Sequence, residues 1–290
     1  MISWLEKHMP KIVLAPSFVV SLVFVYGFIG WTAWISLTRS RLLPRYDFHG
    51  VIQYERLFES VRWDAAINNL FVFGFLFIVI STILGLILAI LLDQKIRTEG
   101  VIRTIYLYPM ALSLIVTGTA WKWILNPGLG FEAAIRGLGW ATFSFDWLVD
   151  PEMAIYTIVI AGVWQASGFV MALFLAGLRS LDQEVIKAAQ VDGIPTWRIY
   201  TSIIIPSMAS VFLSAFVVLA HLAIKSFDLV IALTGGGPGF ATDLPATYMY
   251  TMAFSRGDLG QAASSAMVMM MIIFAIVVPY LYSELRAKHD

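Results

Sequence analysis

Cysteine is absent from this 290-residue chain, which excludes a disulfide framework and thiolate metal ligation. Charge is scarce: Asp, Glu, Lys and Arg make up 13% of residues, against about 25% in an ordinary soluble domain. The formal net charge is zero, so no basic field invites nucleic acid. The four histidines, His8, His49, His221 and His289, are widely separated, and no metal site is expected. No Gly-Lys-Ser/Thr phosphate loop occurs in the chain. What fills the sequence is apolar: 59% of residues are hydrophobic and the mean hydropathy is +0.81. That surplus exceeds what one soluble core buries, and most of it must face lipid or a helix bundle.

One helical span of a bilayer core needs about 20 consecutive apolar residues. Six stretches qualify, at 12–37, 69–92, 101–125, 153–178, 203–224 and 262–282. The first is longer than the roughly 7–15-residue apolar region of a secretory signal and is read as a retained span. Arg103, Pro109 and Lys122 interrupt the third. Gly85, Gly118, Gly162, Ser167, Gly168 and Ser214 are small residues of the kind that let membrane helices approach closely. The expectation is an all-α polytopic membrane protein, one transmembrane domain over 1–290, with six spans. An even span number puts both termini on one side. Counting Lys7, Lys11, Lys95, Arg97, Arg103, Arg179, Lys187, Arg198, Arg286 and Lys288 there gives that side the larger basic share and weakly favours it as the cytoplasm. Arg39, Arg41, Arg45, Arg56 and Arg62 in the first outer loop pull the other way, so charge alone leaves orientation open.

The most informative stretch runs from Arg179 to Pro206, between the fourth and fifth spans. Ser180 with Gln183 fits a capping box, and Asp182 is an alternative N-cap. Val185, Ala188 and Ala189 share one helical face by spacing. Asp192-Gly193 stops the helix, with Gly as the left-handed residue. Pro195 suits the first turn of a second short helix through Trp197 and Tyr200. By shape alone this is also an ordinary amphipathic interfacial loop.

The residues themselves go further. Lys187-Ala188-Ala189, Asp192-Gly193 and Ile203-Ile204-Ile205-Pro206 resemble the Glu-Ala-Ala, Asp-Gly, Ile-x-Leu-Pro coupling loop of binding-protein-dependent ABC importers, departing at Lys187 and Ile205. Glu184 stands one turn upstream. Phe227-Asp228, Leu233-Thr234-Gly235-Gly236-Gly237-Pro238, Thr242, Tyr250 and Ala253-Phe254 resemble the outer loop of carbohydrate permeases of the maltose and glycerol-phosphate type. Asn69-Leu70, Trp121, Trp123 and Ala176-Gly177-Leu178 extend the likeness along the chain, and the tail 277–286 is similar to the glucose/mannose branch.

The resemblance implies a permease subunit without its own ATPase site, in a bacterial or archaeal cytoplasmic membrane with both termini cytoplasmic. Its implied partners are a second, different permease, two ATP-binding subunits, an extracytoplasmic solute-binding protein and a sugar. ATP would be bound by the partners, and this chain would need no cofactor and no metal. A coupling helix within 179–201 would seat in an ATPase cleft through Glu184, Lys187, Ala188, Ala189, Asp192 and Gly193, with Gly193 and Pro206 holding the angle to the fifth span. Within the bundle, Tyr108, Trp164, Gln165, His221 and Lys225 are the polar or aromatic side chains available to a sugar; for His221 and Lys225 the plainer role is helix–helix hydrogen bonding, or for Lys225 reaching out to the surface. Trp121, Trp123, Trp147 and Tyr156 suit interfacial anchoring. An ion-driven carrier usually places carboxylates in mid-span, and here there are none, since Asp93 and Asp228 lie at span ends. A membrane-embedded enzyme would need a converging catalytic set, and none is legible.

Overall fold

The computed structural model describes residues 2–94 and 97–287. Lys95, Lys288 and His289 lie outside the described residues, as do the side chains of Lys7, His8, Gln183 and Arg286. The described chain is helical, and its one β feature is an isolated antiparallel bridge between Thr38 and Phe48.

α1 (Ile2–Ser21) runs through a π-turn, Leu22–Tyr26, into α2 (Gly27–Ser36). A short α3 (Ile52–Phe58) precedes the long α4 (Val61–Asp93). α5 (Glu99–Ala111) and α6 (Leu114–Ile124) follow, then α7 (Phe131–Gly137) and α8 (Ala154–Ser180). α9 (Gln183–Val191), α10 (Thr196–Ile199), a π-turn at Tyr200–Ile204 and α11 (Ile205–Ser207) lead into α12 (Ala209–Ile224). The last elements are α13 (Asp228–Leu233), α14 (Pro245–Tyr250), a π-turn at Thr251–Ser255 and α15 (Leu259–Ala287). Among the described residues four helices are long and apolar enough to cross a membrane, or up to six if each of two sharply bent pairs is one span.

Three boundaries differ from the sequence expectation. α4 begins at Val61 rather than at 69. At 1.5 Å per residue it is about 50 Å long, longer than the roughly 30 Å hydrocarbon core, and its first turns carry Arg62, Asp64 and Asn68. An apolar run marks hydrocarbon depth, whereas helix continues wherever backbone bonding allows. The third stretch is not one straight helix: α5 and α6 meet at 100°. Pro109 removes a donor from the end of α5, and Leu112 and Ser113 then go extended. The fifth stretch is bent by 67° at Met208, and its helix reaches back to Thr196. Pro195 is the N-cap of that helix rather than part of its first turn.

The chain divides into two compact units. One runs through Ser60 and takes in Tyr248–Met270. There Gln53 Nε2 donates to Thr38 O at 2.8 Å, and the Gly260 amide donates to Ser40 O at 2.8 Å. A Cβ on Gly260 would come within 2.6 Å of the Gln53 amide nitrogen, so that approach depends on glycine.

The other unit comprises Val61–Thr247 and the stretch from Met271. Its heart is α4 against α8. Gly85 meets Val170, and eight residues earlier on each helix the Phe77 ring meets Gly162, so the two run parallel. α5 is antiparallel to α8, with Tyr106 O against Gly168 near the middle and Glu99 paired with Arg179 at the end. α12 is antiparallel to α8 as well, through Gly177 on Met208 and Val211 and through the Phe174 and Phe212 rings, 4.6 Å apart. One end of this unit therefore gathers Asp93, Glu99, Arg179 and α9. The opposite end gathers the starts of α4 and α8, the end of α12, and α13.

Candidate functional site

Where α5 breaks from α6, the unit holds a cavity of about 550 Å³. Phe73 and Phe77 of α4, Leu112 at the break, Gln165 of α8, and Lys225 and Asp228 after α12 are among its lining residues. A broken helix leaves carbonyls without intrahelical partners, and in hydrocarbon each unsatisfied group costs several kcal/mol. Gln165, buried at 8% exposure, meets that need by donating Nε2–H to Leu112 O at 3.1 Å. Lys225 is the C-cap residue of α12 and Asp228 opens α13, so each charge sits at the helix end whose dipole favours it.

Of the five side chains proposed from the sequence for sugar contact, the structure brings Gln165 and Lys225 to this cavity. The other three lie off its lining. Tyr108 is exposed, His221 is exposed, and Trp164 packs edge-on to Trp121 at 5.9 Å. Sequence reasoning missed Phe73 and Phe77, stacked at 5.3 Å. Their i,i+4 spacing is a face, but inside an entirely apolar helix it carries no contrast.

At the other end, α9 is a short helix closed at both termini. Asp182 is the N-cap, accepting from Glu184 N–H at 2.8 Å. At the C-terminus, Ile194 N–H reaches Ala189 O and Gly193 N–H reaches Gln190 O, each at 3.1 Å, a Schellman pair. Gly193 has φ +73° and open space around its missing Cβ, so glycine is needed there for backbone conformation alone. Glu184, Lys187, Asp192 and Pro206 are all exposed. The alanine pair does not act as one face: Ala188 is exposed while Ala189 is buried at 6%, because successive residues point 100° apart on a helix. The outward apolar surface is instead Val185, Ala188, Val191 and, past the turn, Trp197. Arg179, at the end of α8, pairs with Glu99 at 2.9 Å and with Asp93 at 3.7 Å, tying the root of this arm to the ends of α4 and α5.

The end away from α9 holds a polar network whose central ion pair no sequence motif announced. Asp243, 1% exposed, pairs with Arg62 and accepts from Thr247 Oγ1 at 2.5 Å. Asn69 Nδ2 donates to Phe240 O at 2.9 Å and to Asp243 O at 3.0 Å. The glycine-rich stretch is pinned from within: the Thr234 and Thr242 hydroxyls lie 2.7 Å apart, and Thr242 Oγ1 donates to Gly237 O at 2.9 Å.

Apolar helices, one of them broken beside a partly polar cavity, together with a capped helical arm, are the parts of a membrane transport subunit. The chain belongs to the binding-protein-dependent transport system inner membrane components, whose family pattern matches residues 81–287. It is 40% identical over 288 residues to a probable ABC transporter permease of Pyrococcus horikoshii, covering 98% of each chain. It is 36% identical over 275 residues to the xylose/arabinose import permease of Haloferax volcanii, covering 93% of this chain and 86% of that one. Its fold matches a chain of a bacterial ABC transporter involved in import of the acidic polysaccharide alginate, with TM-score 0.84 at 19% identity over 99% of each chain.

Proposed function

We propose that this chain is one permease subunit of an ATP-driven importer that carries a mono- or oligosaccharide into the cytoplasm. It would work with a second permease, two ATP-binding subunits and a solute-binding protein, both of its own termini lying in the cytoplasm. The observation that carries the reading is α9, a capped arm that offers Val185, Ala188 and Val191 outward and is rooted in the bundle through Arg179. Glu184 and Lys187 would meet the rim of an ATPase cleft, and the apolar face would enter it.

The route from arm to cavity is continuous in the chain. α9 turns at Gly193 into the helix of Thr196–Ser207, which bends by 67° into α12. Pro206 and Met208 set that bend, and α12 ends at Lys225 on the cavity. Closure of the ATPase pair would move α9 as a lever and reorient α12, switching the cavity between the two sides of the membrane. The aromatic faces of Phe73 and Phe77, with the Gln165 amide and Lys225, suit a ring that is apolar on its faces and hydroxylated at its edge.

Co-purification from mild detergent with the neighbouring gene products tests this. Wild type is expected to bring down an ATPase and a second permease, whereas Gly193→Arg and Ala188→Trp lose the ATPase alone. A wild-type chain that purifies by itself and transports solute without ATP would replace the importer with a gradient-driven carrier.

A further inference from the structure

We propose that Arg62 and Asn69 are positioning residues that preset the glycine-rich loop 234–243 as a rim on which the solute-binding protein docks; this rests on the importer reading above. Arg62 and Asn69 are seven residues apart and so share one face of α4. From that face they hold four points of one short segment. Arg62 pairs with the Asp243 carboxylate, and its guanidinium lies over the Phe240 ring, 5.1 Å from the centroid. Asn69 holds the backbone carbonyls of Phe240 and Asp243.

The loop needs such a grip. Gly235, Gly236 and Gly239 all have positive φ, at 69°, 93° and 59°, and a chain with three such residues has a broad ensemble when free. Gly236 also packs where a Cβ would come within 3.2 Å of Asp243 Oδ1. Burying an ion pair is an inefficient way to add stability, since well-packed apolar side chains often do as well. What the pair does here is select a single loop geometry.

The selected geometry leaves something to be read from outside. Gly235 and Gly239 are exposed, and Phe240 shows 43% of its surface although its backbone is held by Asn69. An ordered loop presenting a phenyl ring can bind with little entropy lost on ordering. Its place, at the end of the unit away from α9, selects the partner. The α9 end would face the ATPases, and a family dependent on a binding protein must receive that protein at the other end.

The test is ATPase activity of the assembled transporter in lipid nanodiscs, titrated with the solute-binding protein encoded beside this chain. Arg62→Ala and Asn69→Ala are expected to raise the half-maximal concentration of binding protein about tenfold, the equivalent of 1.4 kcal/mol, with the maximal rate unchanged. Arg62→Lys should recover part of the loss, because the charge returns without the planar fork. Asn69→Ala keeps the ion pair, so it remains informative if Arg62→Ala assembles poorly. An unchanged half-maximal concentration in assembled Asn69→Ala complexes would overturn the proposal. So would a fall in complex yield alone, with each assembled complex behaving as wild type. If wild type shows no stimulation by the binding protein, the importer reading itself fails, a result distinct from either.

Discussion

Two glycines carry opposite kinds of constraint. Gly168 is constrained by space: a Cβ there would lie 1.8 Å from Tyr106 O, a backbone atom that moves only if α5 moves. Gly168→Ala is expected to destabilise the packed bundle by about 1–3 kcal/mol, checked by thermal unfolding of the purified complex in detergent. Gly193 is constrained by conformation, with nothing near its missing Cβ. Gly193→Ala should cost about 1–2 kcal/mol at the end of α9 and reduce coupling while leaving the melting of the bundle unchanged. Gln165 tests whether one amide serves both fold and cavity. Gln165→Leu leaves Leu112 O without its donor, a loss of about 1–3 kcal/mol, and should lower both thermal stability and sugar uptake. Uptake that falls at full stability would mean that the amide acts on the sugar rather than on the break.

Helices shorter than about 12–15 residues are marginal in water on their own, and α9 has nine. Its persistence therefore leans on its two caps. Asp182→Ala should cost about 0.5–2 kcal/mol, and the measurable outcome is faster amide hydrogen exchange across α9 with no change in α8. The caps were legible in sequence because they are local: Asp182 and Gly193 are set by chemistry within a few residues. The bends were legible only in part, since Pro109 and Pro206 mark weak points without saying how far a helix turns. The Arg62–Asp243 pair was invisible because its partners stand 181 residues apart and neither side chain has a local pattern. The buried side of Ala189 was hidden for a related reason, since spacing defines faces but not which face the rest of the chain covers. Among the side chains proposed for sugar contact, Gln165 and Lys225 owe their place to the break and to a helix end, features that a list of polar residues in spans does not contain.

At the scale of the whole molecule, composition alone settled the membrane class, and the sequence of Arg179 to Pro206 led to the family. The parallel packing of α4 on α8 has a consequence of parity. Two neighbours that run the same way, with Asp93 and Arg179 at one end, can be joined only by a chain that travels back along the bundle between them. If both cross the bilayer, the connection from Glu99 to Ile124 must cross it an odd number of times, so the sharp corner at Leu112 lies within a passage and is not the tip of a loop that dips in and returns. The absence of cysteine makes this directly measurable, because any introduced thiol is the sole one in the chain. A membrane-impermeant thiol reagent should label Glu99→Cys and Asn126→Cys from opposite faces of sealed vesicles. Labelling from the same face would mean that α4 and α8 are not both crossing helices, and the span count would have to be drawn again from the first residue.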